Sequence, residues 1–163
     1  MDKGAFIMHR CTGCSTDITP LATRAVTKLK AMITQRFMLD GCEVDAEADC
    51  RFCFFFEKGT PETAADGTIP EGEWRARFVR HWYEKDRLIP TDPNKVPKLD
   101  GEMLGKMPRG YRYLSYCQTV VQGFEVKMDM PGHRIDGENV NGKEHDRLYV
   151  QAKQWLDGQD IDV

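Results

Sequence analysis

Residues 25–57 decide the fold and read AVTKLKAMITQRFMLDGCEVDAEADCRFCFFFE. At the centre lies Asp40-Gly41, a dipeptide that closes two-residue hairpin turns when the flanking residues alternate between apolar and polar. The stretch therefore predicts two antiparallel strands joined by a tight turn. The apolar side chains predicted on one face are Ala25, Leu29, Ala31, Ile33 and Phe37 before the turn, and Val44, Ala46, Ala48, Cys50, Phe52, Phe54 and Phe56 after it.

Closing the hairpin at this turn sets the register of its strands. The predicted apolar pairs are Phe37 with Val44, Ile33 with Ala48, and Leu29 with Phe52. The same register places the basic Arg36 opposite the acidic Asp45, and a slip by one residue would destroy both kinds of match. Each arm has about 14 residues, well above the common length of five or six, so we expect a strongly curved sheet.

The rest of the chain predicts one more strand and a terminal helix. The strand is EWRARFVRHWYEK, residues 73–85, and the helix lies in EHDRLYVQAKQWLDG, residues 144–158. The aromatic run GYRYLSYCQTVVQ, residues 110–122, fits a short helix or a strand. Alternation along the third strand predicts Trp74, Ala76, Phe78 and Trp82 on one face, and Arg75, Arg77, Val79, His81 and Tyr83 on the other. The fold class is α+β in a single domain, residues 1–163, with 91–163 as a C-terminal extension.

Composition excludes several classes of function. The 163 residues carry 23 basic and 26 acidic side chains and a net charge of −3. Nucleic-acid binding is disfavoured because no basic excess is available to neutralise phosphates. No apolar run approaches the roughly 20 residues of a membrane span, so we expect a cytoplasmic protein without a membrane partner.

Two C-x-x-C pairs among the six cysteines raise the possibility of zinc. They are Cys11 with Cys14, and Cys50 with Cys53. If the second pair lies on a strand, its side chains point to opposite faces and cannot hold one ion together. We therefore expect no metal and interpret these cysteines as small core residues.

No phosphate-binding glycine loop and no nucleophile elbow is present, which leaves acid–base chemistry in a pocket. His9 and His81 are the preferred proton carriers, because each lies beside apolar residues that could desolvate it. Asp49 is the carboxylate expected to orient a histidine. The candidate substrate-binding residues are Lys30, Arg77 and Tyr83 for a carbonyl or enolate oxygen, and Phe52, Phe54, Phe78 and Trp82 for water exclusion.

The run from Thr23 to Pro90 resembles the SnoaL-like branch of the NTF2-like superfamily, including its scytalone dehydratase-like members. The long hairpin and the return strand WRARFVRHWYEKDRLIP carry the resemblance, and the tail resembles extensions of fungal SnoaL-like proteins. The resemblance implies a cone-shaped curved sheet with packed helices around a pocket. It also implies cofactor-independent dehydratase, cyclase, isomerase or epoxide hydrolase activity on polyketide- or terpenoid-like compounds.

The chain departs from that family in two respects. Only about 22 residues precede the first predicted strand, so the pocket is closed by the remaining elements or by a second subunit, or the chain is a shortened member. The positions of the family's catalytic histidines fall near Lys30 and Phe54, so that mechanism does not transfer.

Three hypotheses follow. The first is a cofactor-free lyase or isomerase of secondary metabolism that acts on a small hydrophobic substrate. The second is a non-catalytic NTF2-like ligand-binding or dimerisation module, and the third is a zinc-ribbon-like protein. An exposed apolar edge would favour a homodimer.

Overall fold

A computed structural model describes residues 6–132 and 142–162, except the side chains of 142–145. A four-stranded antiparallel curved sheet forms the centre, in the order β1-β2-β3-β4. The strands are β1 (Ile7–Ile18), β2 (Arg24–Leu39), β3 (Cys42–Lys58) and β4 (Trp74–Pro90). The helices are α1 (Pro61–Ala65), α2 (Gly101–Lys106), α3 (Arg112–Gln122) and α4 (Gly142–Leu156), with a 3-10 turn at Arg109–Tyr111. The α+β class is confirmed.

The hairpin predicted from the sequence is confirmed in turn and register. Asp40 and Gly41 both have positive φ, 49° and 72°, as the twist of a two-residue hairpin turn requires. The four predicted cross-strand pairs are all present. The side chains of Arg36 and Asp45 form two hydrogen bonds, of 2.8 and 2.9 Å.

β1 was not predicted. The strand IMHRCTGCSTDI pairs along β2, and its register shifts between Cys11 and Gly13. This bulge breaks the alternation of side chains, and every residue of the strand except Met8 is exposed. An edge strand whose side chains are almost all exposed shows no alternation of apolar and polar residues in the sequence.

The side-chain alternation predicted for β4 is wrong before Phe78. A register shift between Phe55 and Phe56 of β3 leaves Arg77 unpaired in β4. Ala76 pairs with Phe56, whereas Phe78 pairs with Phe55. Trp74 and Ala76 therefore face the side opposite to Phe78 and Trp82, because one extra residue reverses every side chain beyond it.

The two faces of the sheet differ in chemistry. The apolar face carries Val44, Ala46, Ala48, Phe52 and Phe54 of β3 and their cross-strand partners, while the charged face carries Asp45, Asp49, Arg51, Phe55 and theirs. α3 packs on the apolar face near the hairpin turn, where Leu114 and Cys117 join the core around Val44. α4 packs on the charged face at the other end, where Trp155 joins the core around Phe55. The ambiguous aromatic run is a helix, and the predicted terminal helix is confirmed.

Candidate active site on the apolar face

The structure divides the ten predicted site residues between the two faces. His9 lies opposite Ile33, His81 opposite Phe52, and Tyr83 opposite Cys50, all positions of the apolar face. Residues directly opposite in an antiparallel pair project to the same side. The residues brought together on the apolar face are His9, Phe52, Phe54, His81 and Tyr83. Those on the charged face are Lys30, Asp49, Arg77, Phe78 and Trp82.

His81 is enclosed by aromatic rings. Its imidazole stacks on Phe52 with 4.4 Å between ring centroids and an interplanar angle of 5°. Tyr83 lies on its other side, at 4.5 Å between centroids. Burial, and secondarily the charge of His9, lower the pKa of His81 to about 4. Its Nε2 atom is buried and has no hydrogen-bond partner among the residues that the structure describes, so a neutral imidazole with an unused nitrogen lies in apolar surroundings.

His9 reaches the same region from the far edge of the sheet. β1 and β4 are separated by two strands, yet the charge of His9 lowers the pKa of His81. Long coiled hairpins such as β2–β3 give a curved sheet.

Tyr83 connects the histidine to a cavity. A hollow of about 380 Å³ lies between β4, α3 and the segment that follows α3. Its lining residues are Tyr83, Tyr111, Ser115, Gln118, Phe124, Glu125, Val126, Lys127 and Met130. Burial raises the pKa of Tyr83 to about 12, so its hydroxyl keeps its proton and can donate it to a ligand oxygen.

The part of the wall that α3 forms contributes two uncharged polar side chains, Ser115 and Gln118. Ser115 is 1% exposed, and its hydroxyl has no hydrogen-bond partner within the described ranges. Gln118 donates to Gln35 at 3.1 Å, and Gln35 donates to Gln122 at 3.2 Å. An unsatisfied buried hydroxyl is costly unless a ligand or water uses it, which makes Ser115 a candidate ligand contact.

The side chain of Tyr111 shapes the hollow by bonding to the backbone of the segment after α3. Its ring stacks on Tyr83 with 4.6 Å between centroids. Its hydroxyl donates to the carbonyl of Lys127 at 2.7 Å and accepts from the amide of Met130 at 3.1 Å. These hydrogen bonds hold the segment after α3 against the sheet. Because they occupy the Tyr111 hydroxyl, the Tyr83 hydroxyl is the one of the two tyrosine hydroxyls that is available to a ligand.

Asp86 is the carboxylate on this face, and the sequence analysis missed it. It accepts hydrogen bonds from the amides of Tyr113, at 2.5 Å, and Leu114, at 2.9 Å, in the first turn of α3. Burial raises the pKa of Asp86 to about 6, although these bonds and Arg112 act in the other direction. Asp86 thus anchors the helix that forms one wall of the hollow.

The structure does not bring Asp49 to either histidine. Its carboxylate lies on the charged face, 3.4 Å from the ammonium of Lys85. Arg77 pairs with Glu57 at 3.5 Å, and Phe78 and Trp82 pack under α4. The expected water-excluding set is therefore split, since only Phe52 and Phe54 share a face with the histidines.

The four cysteines of the C-x-x-C pairs do not converge. Cys11 and Cys14 are exposed on β1, whereas Cys50 and Cys53 are buried. Cys50 faces the apolar side and Cys53 the charged side, which confirms the prediction that they point apart. Burial raises the pKa of the Cys50 thiol to about 12 and of the Cys53 thiol to about 11, so both remain protonated. Among the residues that the structure describes, no three potential ligands are grouped to hold a metal ion.

A helical signal could have revealed the missed wall residues. Tyr111, Ser115 and Gln118 are spaced four and three apart, as on one face of a helix. Asp86 follows the bulge at Glu84, so strict alternation from His81 places it on the opposite face. Within the described ranges, no helix is long and apolar enough to cross a membrane.

Comparison with known proteins identifies relatives in filamentous fungi, and no family model matches the chain. An uncharacterised protein of Emericella nidulans is 61% identical over 163 residues, all of this chain and 66% of its own length. A PEP2-like protein and pea pathogenicity protein 2, both of Fusarium vanettenii, are 56% and 55% identical over the whole chain and 65% of their own lengths. The chain is thus similar along its full length to these fungal proteins and spans slightly less than two thirds of each.

Proposed function

We propose that this protein is a cofactor-independent lyase or isomerase that moves a proton on a small hydrophobic, oxygenated compound of the polyketide or terpenoid kind. The observation that carries the proposal is His81, whose neutral imidazole lies between Phe52 and Tyr83 and has a buried Nε2 with no partner in the described part of the chain. A base in such surroundings accepts a proton without competition from water.

The other residues of the apolar face have defined roles in this scheme. The protonated Tyr83 hydroxyl donates a hydrogen bond to the substrate oxygen on which negative charge develops. Ser115 supplies a second hydroxyl at the wall of the hollow, and His9 carries the proton between steps. The hollow of about 380 Å³ is within the range that encloses small-molecule ligands.

The finer fold assignment is part of the proposal. A curled antiparallel sheet with a hollow on its apolar face supports membership of the SnoaL-like branch of the NTF2-like superfamily. Six unpaired cysteines support a cytoplasmic setting, because disulfides are rare in reducing compartments.

A second candidate function is a non-catalytic binding or dimerisation module of the same fold. Exposed apolar residues at the open end of the apolar face favour it, among them Ile18, 56% exposed, and Val79, 48% exposed. The same residues support a homodimer, since pairing would cover both the patch and the free β1 edge. Analytical ultracentrifugation at micromolar concentration tests this, and a clean monomer would exclude the dimer.

The catalytic proposal is tested with exchange of the α-protons of 2-tetralone in D2O, followed by proton NMR. Wild-type protein is expected to accelerate exchange after dialysis against EDTA. His81→Gln should lower the rate by about 100-fold or more, the usual contribution of a positioned base. Because the pKa of His81 is about 4, the rate should be flat near neutrality and fall as the pH drops through about 4.

Matched variants separate chemistry from folding. Tyr83→Phe should lower the rate at least tenfold, while Tyr113→Phe, a tyrosine outside the hollow, should leave it unchanged. Circular dichroism checks that each variant is folded. Unchanged exchange in His81→Gln and His9→Ala, or loss with EDTA and recovery with zinc, would contradict the proposal.

A further inference from the structure

A second concavity lies on the charged face, away from the proposed active site. It has a volume of about 320 Å³ between the sheet and α4. Its lining residues are Gly13, Cys14, Ser15, Lys28, Leu29, Lys30, Arg51, Phe52, Trp82 and Tyr149. Gly13, Lys30, Arg51 and Trp82 form one row across all four strands, and Arg51 contacts the Tyr149 hydroxyl at 3.5 Å. We call this concavity the cationic groove.

Charge is one-sided in the cationic groove. Of the described residues that line it, three are basic and none is acidic. Two carboxylates outside the lining compensate in part: Asp17 lies 3.0 Å from Lys28, and Glu84 bonds Arg51. Lys30 forms no ion pair with any described residue, so its ammonium is available to a ligand.

Arg80 increases the positive potential beside the groove. It lies opposite Cys53 on the charged face, in the same cross-strand row as Lys28. Its Nε and Nη2 atoms are buried and have no hydrogen-bond partner in the described part of the chain. A partly buried guanidinium without a carboxylate attracts an anion more strongly than an exposed one, because solvent screens it less.

The rest of the lining is apolar and aromatic. Trp82 is 3% exposed and forms part of the groove wall, while Tyr149 of α4 is 45% exposed. Flat apolar walls with cations at the opening suit a ligand that has a planar body and one anionic group.

We propose that the cationic groove binds a small aromatic carboxylate, with its ring against Trp82 and Tyr149 and its carboxylate at Lys30 and Arg51. Arg51 is already oriented by Glu84 and Tyr149, so little order is lost when it binds. The site does not depend on the proposed catalytic function, because the side chains that would contact the ligand, Lys30, Arg51, Trp82 and Tyr149, have no role in that function.

Gly13 offers a specific way to block the groove. It faces Lys30 across the β1–β2 pair, and a Cβ added there would meet no atom within 4 Å. Gly13→Leu should therefore preserve the fold and fill the space above Lys30. Lys30→Met removes the unpaired charge instead, and Lys85→Met, a lysine of β4 outside the groove, is the matched control.

The experiment measures fluorescence of 8-anilinonaphthalene-1-sulfonate, an aromatic anion, and its displacement by 1-naphthoate or by the neutral isostere 1-naphthamide. Naphthoate should displace the probe at a concentration at least tenfold lower than naphthamide does. Lys30→Met should weaken naphthoate binding by about fivefold, equivalent to about 1 kcal/mol, and Gly13→Leu should weaken it by more. Lys85→Met should change it by less than about twofold.

Four outcomes would overturn the proposal. Equal displacement by naphthoate and naphthamide would show that charge is not recognised. Wild-type affinity in folded Lys30→Met and Gly13→Leu would place the ligand elsewhere, and loss in His81→Gln alone would assign it to the apolar face. Displacement by inorganic phosphate at the naphthoate concentration would show a site for any anion and not for an aromatic carboxylate.

Discussion

The two ends of the β2–β3 hairpin bury opposite faces. Near the turn, Val44, Ala46 and Ala48 are fully buried against α3, and the acidic residues between them face outward. Near the open end, Cys53 and Phe55 are buried against α4, and Phe54 is only half-buried. The β2–β3 register does not shift between these ends, so no bulge reverses the side chains. The buried face of the hairpin changes because a helix covers one face at one end and the other face at the other end. One continuous strand can thus form a ligand-facing surface along one half and a core along the other.

The largest expected effect comes from the open end. Phe55→Ala should lower the free energy of unfolding by about 4 kcal/mol, because it removes a fully buried ring that packs edge-on against Trp155 and Phe78. Phe54→Ala should cost about 1 kcal/mol, since that ring is partly solvated already. Urea unfolding measures both. Equal losses would show that α4 does not form the core at this end.

An intermediate effect is expected under α3 from Asp86→Asn. Asparagine keeps an oxygen that accepts from the amides of Tyr113 and Leu114 but removes the buried charge. The folded-state pKa of Asp86 is about 6 against 3.8, so its contribution to wild-type stability is present below pH 4 and declines as the pH rises through 6. Between pH 4 and pH 8, the free energy of unfolding of the variant should rise by about 2 kcal/mol relative to that of wild type.

The comparison with wild type at each pH isolates this carboxyl. His81 titrates in the same range with the opposite sign, because its lowered pKa costs stability as the pH falls toward 4. That contribution is common to both proteins and cancels in the difference. A stability difference that does not vary with pH would mean that the Asp86 carboxylate is not desolvated as its burial indicates.

The smallest effect is expected at the exposed pair of Arg36 and Asp45 near the turn. Their side chains are 42% and 20% exposed and form two hydrogen bonds. A double-mutant cycle with alanine should give a coupling energy below about 1 kcal/mol that decreases in high salt. A coupling near that of a buried pair would show that the charged face at this end is less solvated than the described contacts indicate.

Sequence reasoning succeeded where the signal is local. Asp40-Gly41 specifies its own turn, and the alternation of Val44 to Asp49 specifies the register from that turn. It failed at Arg77, where a bulge adds one residue, and at β1, which buries no side chain. Sequence reasoning also grouped Asp49 with the histidines in the predicted site, because alternation alone does not say which face a helix will cover.

The sequence alone determined the hairpin, its register and the separation of an apolar from a charged face, since each depends on neighbours within one turn or one strand. Only the tertiary structure decided which part of each face is core and which part is open to a ligand. The reason is that α3 and α4 lie far from the hairpin in the sequence and pack on its opposite faces. Tyr83 borders a hollow, and Lys30 and Arg51 border a groove, because of where those two helices pack.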